Sequence, residues 1–172
     1  MANPKKTFNL SDAEIAQTEQ LLSRLEPGYI PHALFMEFYR LTPAPIMQII
    51  PLRRDSNGDI EVLMIQRAPD EPFLPNIWHN PGTVLRANDT YETSVSRLLD
   101  DELQGVKVTK GPIFATNLFH QSPRGSEIVQ LYWIEIDKPM YGTFWPLDKL
   151  PKYILESEIP VIHEAVKYYK NA

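Results

Sequence analysis

The sequence contains no cysteine, which excludes disulfide bonds, thiolate catalysis and cysteine-ligated zinc. It has only 7 glycines against 16 prolines, a balance that indicates stiff and defined loops. No apolar run reaches membrane-spanning length, and no basic block stands out in a chain whose formal net charge is -5. Neither a membrane nor duplex nucleic acid is therefore an expected partner.

The chain has 172 residues, which suits one domain with a buried core, and its apolar share of 43% is that of a globular protein. Residues 1–7 include two lysines, but no apolar signal core follows them. We therefore expect a cytoplasmic protein.

Two helices are predicted ahead of the first strand. Ser11 and Glu14 have the spacing of a capping box at the start of the first helix. Pro31 opens the second helix, which ends before Pro43. We predict that residues 1–43 form an N-terminal helical extension that packs on the main body, with dimerisation or recruitment of a partner as the alternative role.

From residue 44 onward, the pattern changes to β-rich runs with one central and one terminal helix. Strands are predicted at residues 47–52, 60–65, 113–118 and 128–136, with a loop at 119–126 between the last two. Asp89 or Thr90 caps a helix that is predicted to reach about Leu103, and Ser157 starts the closing helix. This order predicts an α+β fold.

Two acidic residues near the end of the central helix carry the clearest chemical signal. Positions 98, 101 and 102 share one face of an α-helix, because they are spaced i, i+3 and i+4. Asp101 and Glu102 then form a pair of carboxylates, which repel each other unless a cation lies between them. A hard divalent cation with oxygen ligands suits this position, and it would neutralise a bound diphosphate.

The segment from Gly82 to Val106 resembles the Nudix box, in which a glycine, an arginine and spaced acidic residues follow one another in fixed order. Three further segments are similar to the second strand, the Trp-x-x-Pro-Gly sequence and the closing turn of that family, namely residues 61–67, 78–82 and 144–150. The resemblance covers roughly residues 45–170. It implies a Nudix-like α/β/α sandwich around a mixed β-sheet in residues 44–172.

The resemblance also implies an activity. A Nudix-type hydrolase of a nucleoside diphosphate derivative is expected, dependent on Mg²⁺ or Mn²⁺. Asp101 and Glu102 would hold the metal together with a backbone carbonyl near Gly82, and they are the catalytic candidates. A homodimer is expected on the same ground.

The box departs from the family pattern at several points. Asp89 replaces a glutamate, and Gln104 is inserted before Gly105. Leu98 stands where the family has a metal-binding glutamate, and an alkyl side chain cannot ligate a metal. The alternative is therefore a catalytically impaired Nudix-fold protein that binds a nucleotide or a protein partner.

One departure has a parallel within the family. The sequences Arg97-Leu98 and Glu102-Leu103 are similar to those of GDP-mannose mannosyl hydrolases. That similarity indicates a nucleotide sugar as the substrate.

Four residues outside the acidic pair are candidates for the site. His120, in the predicted loop, is a candidate general base, because histidine titrates near neutral pH. Arg67 and Arg124 are candidates for phosphate binding through their forked donors, and Arg97 is a third substrate-binding candidate. A solvated loop histidine and surface ion pairs are the corresponding structural interpretations.

Overall fold

A computed structural model describes residues 9–71, 73–139 and 141–172 of the chain. Within these ranges the helices are α1 (Asp12–Leu22), α2 (His32–Leu41), α3 (Tyr91–Leu98) and α4 (Glu158–Lys170), and a π-helical turn (Leu99–Leu103) directly follows α3. The strands are β1 (Ala44–Arg54), β2 (Ile60–Gln66), β3 (Trp78–His79), β4 (Gly82–Val84), β5 (Val108–Ser122), β6 (Gly125–Ile136) and β7 (Thr143–Pro146). In the described part of the chain, no helix is both long and apolar enough to cross a membrane.

The strands form a mixed sheet in the order β3-β2-β1-β6-β5, with β4 paired to β1 and β7 paired to β2. β1 and β6 run parallel, with Ile49 opposite Tyr132, and the other pairs are antiparallel. β1 is central and buried over most of its length, which explains its nearly continuous apolar sequence.

Helices cover both faces of the sheet. On one face, α4 contributes Ile162 and Ala165 to the larger core cluster. On the other face, Leu98 of α3 and Leu103 of the π turn belong to a second cluster. The predicted α+β fold, with an α/β/α sandwich around a mixed sheet, is confirmed.

The two N-terminal helices pack unequally. α1 ends at Leu22, and none of its residues is buried. α2 is attached through Tyr39, which is 4% exposed, packs edge-on against Phe35 and donates a hydrogen bond of 3.2 Å to Glu127. The packing expected of both helices is thus found for α2, and residues 1–43 as a separate unit stay a prediction.

The loop predicted at residues 119–126 is mostly strand, so that prediction was wrong. β5 continues to Ser122 and β6 begins at Gly125, with the ladder extending to the tip of the hairpin. Polar residues dominate this exposed end, and the apolar alternation by which strands are recognised is lost there. His120 therefore lies on β5, opposite Glu127, and not in a loop.

Candidate functional site

The central helix changes its hydrogen-bonding register just before its acidic residues. α3 is capped by Thr90 and ends at Leu98, and the next five residues form the π turn. The buried Leu103 follows the buried Leu98 at the five-residue spacing of a π-helix. Gln104 then adopts a left-handed conformation with φ of 39°. The wide turn accommodates one extra residue while Leu103 still reaches the core. The predicted helix therefore does extend to Leu103, but its last five residues are π-helical, so the α-helical spacing expected for positions 98, 101 and 102 is wrong.

This register separates the two carboxylates that were expected to act together. Glu102 is partly buried and lines a cavity, whereas Asp101 is exposed and lies outside the cavity lining. Burial raises the pKa of Glu102, the nearby charge of Asp101 raises it further, and Arg67 opposes the rise. The two carboxylates interact electrostatically, but Glu102 alone of the pair faces the cavity.

The cavity has a volume of about 180 Å³ and lies where β1, β3, β4, the β5-β6 hairpin and the start of α4 meet. Its polar lining includes Gln48, Arg67, His79, Asn80, Glu102, Arg124, Glu127 and Glu158. Gly82 forms part of the wall. Of the residues selected from the sequence, the structure thus brings together Gly82, Glu102, Arg67 and Arg124.

Two arginines face this cavity. Arg67 forms an ion pair of 2.9 Å with Glu71, and its Nε is buried without a hydrogen-bond partner among the described residues. Arg124, at the tip of the hairpin, lies 3.8 Å from Oε1 of Glu127. Because a guanidinium has five donors, both arginines can also bind an anion.

Arg97 is held away from the cavity. Its Nη1 and Nη2 each donate a hydrogen bond of 2.8 Å to Asp89, and Nη2 also donates to the carbonyl oxygen of Val84 at 3.0 Å. These hydrogen bonds lower the pKa of Asp89 and raise the pKa of Arg97. Arg97 therefore ties the start of α3 to β4, and its contact with a substrate stays a prediction.

His120 also lies outside the cavity lining, on the partly exposed end of β5. Burial lowers its pKa, and the charge of Glu127 opposes that shift. The role of His120 as a general base stays a prediction, and no contact of this residue with the cavity supports it.

Sequence reasoning missed Glu158, the first residue of α4. Glu158 is 8% exposed, and its Oε2 accepts hydrogen bonds from Nε2 of Gln48 and, at 2.7 Å, from Nδ2 of Asn80. Burial raises the pKa of Glu158 to about 7, although both amides oppose the rise. A signal did exist, because Glu158, Ile162 and Ala165 share the buried stripe of one helix, where a carboxylate is rare.

The residues beside Glu158 complete the wall. Asn80 is 2% exposed, and its Oδ1 has no partner among the described residues. Burial lowers the pKa of His79 to about 4, so His79 is neutral at pH 7. Glu127 is buried and accepts a hydrogen bond of 2.7 Å from Ser122. The cavity therefore combines two cationic side chains with three carboxylates in a largely dehydrated wall.

The carboxylates do not form a metal-binding cluster. In the described part of the chain, no three or more His, Asp or Glu side chains are grouped so that they could hold a metal ion. The predicted ligand set of Asp101, Glu102 and Gly82 brings one carboxylate to the cavity. A preformed cation site built from protein oxygens alone needs more ligands than these residues offer, so they do not fit a site of that kind.

Comparison with solved structures identifies the fold. A possible asymmetric diadenosine tetraphosphate (Ap4A) hydrolase from Jonesia denitrificans matches with a TM-score of 0.57 and 14% identity over 76% of this chain and 96% of its own. The Ap4A hydrolase of C. elegans matches with a TM-score of 0.55 and 14% identity, over 74% of this chain and 99% of its own. The NUDIX domain of Shewanella oneidensis NrtR, solved with ADP ribose, matches with a TM-score of 0.51 and 15% identity. This match covers 93% of this chain and 99% of the NrtR domain.

The chain has the Nudix fold. No protein-family model and no curated protein sequence matches it. The similarity to the solved structures therefore lies in the arrangement of strands and helices. The fold expected from the sequence resemblance is confirmed. The similarity to GDP-mannose mannosyl hydrolases stays a prediction.

Proposed function

We propose that this protein hydrolyses a nucleoside diphosphate derivative, with a nucleotide sugar as the first candidate substrate. One observation carries the proposal: a single cavity of the Nudix fold joins Arg67 and Arg124 to the buried carboxylate of Glu158. Arginines bind phosphate groups, and a buried carboxylate transfers protons. Solved proteins of this fold include Ap4A hydrolases and a domain bound to ADP ribose, and both of these ligands contain phosphate groups joined to one another.

The two arginines supply the binding energy for the diphosphate. Their planar guanidinium groups can each donate two parallel hydrogen bonds to phosphate oxygens. Burial raises the pKa of both Glu102 and Glu158, which reduces the negative charge that an incoming phosphate meets. The cavity can therefore accept an anion despite its three carboxylates.

Glu158 is the proposed general base. Its Oε2 is held by two amides, which leaves Oε1 to meet a water molecule in the cavity. For a nucleotide sugar, the water oxygen forms the new bond to the sugar carbon while the bond from that carbon to the diphosphate oxygen breaks. The nucleoside diphosphate leaves, and the water proton passes to Glu158 and from there to solvent. With a pKa of about 7, Glu158 is partly ionised at neutral pH, as an efficient base must be.

Dependence on Mg²⁺ or Mn²⁺ is the finer expectation from the sequence resemblance. None of the steps above uses a cation, because the residues present do not form a complete ligand set. Glu102 and Gly82 line the cavity, so the carboxylate of Glu102 and a backbone carbonyl near Gly82 could meet a cation brought in with a substrate.

Product release tests the proposal. The full-length chain is incubated with nucleotide sugars, ADP ribose, Ap4A and nucleoside triphosphates, with and without Mg²⁺ or Mn²⁺, and products are separated by chromatography. Glu158→Gln should slow release from the accepted substrate by about 100-fold or more, the usual range for loss of a general base. Glu164→Gln, on the same helix but outside the cavity, should retain wild-type activity.

A specific observation favours a second function, nucleotide binding without hydrolysis. The described residues provide no metal-binding cluster, and Leu98 stands where the resemblance calls for a ligating glutamate. Retained binding of a nucleotide together with no product from any substrate class would establish this alternative and contradict the hydrolase proposal.

A further inference from the structure

A second groove lies beside the charged cavity, between the N-terminal segment and β4. It has a volume of about 650 Å³, within the range of small-molecule sites. Its walls are mainly apolar and include Leu25, Tyr29, Phe35 and Phe38 on one side and Val84 and Leu85 on the other.

The groove and the cavity meet at one short strand. Gly82, Thr83 and Val84, the whole of β4, line both spaces. A strand of three residues spans only about 10 Å, so one molecule of nucleotide size can reach from the cavity into the groove. The charged space and the apolar space are thus neighbours along β4.

We propose that this groove binds the nucleobase of the nucleotide whose diphosphate lies in the charged cavity. The inference rests on the proposed function, since it places the two ends of the same substrate. A nucleobase has flat apolar faces and a polar edge. The groove offers aromatic rings for the faces, and Glu26 and Arg86 in its lining can meet the edge.

Two aromatic side chains are placed for stacking. Tyr29 is 75% exposed and Phe38 is 36% exposed, although both line the groove. Covering these rings with a planar base would remove apolar surface from water. The concave shape and the charged cavity on the same short strand favour a small molecule over a second copy of this chain.

The assignment gives the N-terminal extension a role in specificity. Tyr29 and Phe38 both belong to residues 1–43, whereas the phosphate-binding arginines belong to the body of the fold. The extension would therefore decide which nucleoside is accepted, and the body would bind the part that all such substrates share.

Calorimetric titration of the full-length chain tests this division. The probes are inorganic pyrophosphate, which has no base, and ADP and GDP, which carry one. Tyr29→Ala and Phe38→Leu should weaken ADP or GDP binding by about fivefold or more, the lower end of the contribution of one stacked base. Both variants should leave pyrophosphate affinity within about twofold of wild type.

Matched controls lie outside both spaces. Tyr153→Ala and Phe119→Leu alter side chains that are 61% and 89% exposed and line neither the groove nor the cavity. Both controls should bind every probe as the wild type does. Thermal melting of each variant checks its folding, and Phe38→Leu keeps an apolar side chain so that loss of the ring is what is measured.

The outcomes separate the two proposals. Equal affinity for pyrophosphate, ADP and GDP, or groove variants that bind nucleotides normally, would overturn the nucleobase site and leave the proposed function standing. Failure of the wild type to bind any of the probes would remove the proposed function and this inference with it. A dimer in light scattering that Tyr29→Ala dissociates, with nucleotide affinity unchanged, would show that a second copy occupies the groove.

Discussion

Asn80 donates a hydrogen bond of 2.7 Å from Nδ2 to Oε2 of Glu158, although 78 residues separate the two in sequence. The contact joins the residue after β3 to the first residue of α4. Gln48 of β1 donates to the same oxygen. Three elements therefore fix the position of one carboxylate, and because its burial outweighs the help of the two amides, its pKa rises to about 7.

Glu158 should make folding stability decrease with rising pH. The pKa of its carboxyl group is raised from 4.5 to about 7, so the folded state binds the proton more tightly than the unfolded state does. The free energy of unfolding should then fall between about pH 4.5 and pH 7, by on the order of 3 kcal/mol from this group. Glu158→Gln stays neutral and should remove that decrease, as measured by urea unfolding at several pH values.

The control for this experiment is Glu92→Gln, which changes an exposed glutamate on α3. It should keep the wild-type dependence of stability on pH. A Glu158→Gln variant with the same pH dependence as the wild type would show that Glu158 does not titrate differently in the folded chain.

Glu158 also shows how far sequence reasoning reaches. The spacing of Ile162 and Ala165 predicts the helix, because helical periodicity is a local property. The hydrogen bonds to Glu158 come from Gln48 and Asn80, on distant elements whose meeting depends on the whole sheet. The helices and strands were therefore predictable from local patterns and the Nudix-like fold from the family resemblance, whereas this part of the site was not.

The π turn is a second feature that could not be predicted from the sequence. The insertion of Gln104 is visible in the sequence, but two responses to an extra residue compete, a bulge within the helix or a longer loop after it. Burial of Leu103 decides between them, because the wide turn keeps this side chain in the core. Only the packed structure reveals that choice, and with it the different positions of Asp101 and Glu102.

Asp89→Asn should destabilise the fold by about 2 kcal/mol, because it leaves the partly buried guanidinium of Arg97 without its charged partner. The pKa of Asp89 is held below its ordinary 3.8, so the wild-type ion pair stabilises above about pH 4 and is lost on further acidification. Denaturant unfolding at pH 7 and pH 3 measures both effects. The matched control is Asp59→Asn, which changes an exposed carboxylate in the β1-β2 turn.

A double-mutant cycle isolates the pair. Arg97→Gln combined with Asp89→Asn should cost less than the sum of the two single substitutions, since no unpaired charge remains. If the two changes in the free energy of unfolding are additive, the ion pair has no structural role. That result would favour the predicted contact of Arg97 with a substrate.

Mn²⁺ alone should leave the thermal midpoint of the full-length chain unchanged. A ligand raises the midpoint only if it binds the folded state, and the described residues offer no cluster that would hold the ion. Mn²⁺ added with ADP should raise the midpoint, and Glu102→Gln should reduce that increase, because Glu102 faces the cavity. Asp101→Asn serves as the comparison. A rise with Mn²⁺ alone that either substitution abolishes would instead support the paired-carboxylate site predicted from the sequence.

Shortening the N-terminus in two steps should separate its two helices. Removal of residues 1–22 takes away α1, which buries no side chain, and should shift the thermal midpoint by no more than about 2 °C. Removal of residues 1–43 also deletes Tyr39 of the larger core cluster and Phe35, which packs against that cluster, and should lower the midpoint by about 8 °C or more.

Removal of residues 1–43 deletes more than one contact. Substitutions of Tyr39 alone therefore show how much of the lower midpoint is due to this residue. Tyr39→Phe keeps the ring beside Phe35 and removes the hydroxyl that donates to Glu127. Because Ser122 still donates to that carboxylate, Tyr39→Phe should cost about 1 kcal/mol, whereas Tyr39→Ala should approach the full effect of the truncation. If both truncations melt like the full chain, α2 contributes nothing to the core and residues 44–172 fold as an independent unit.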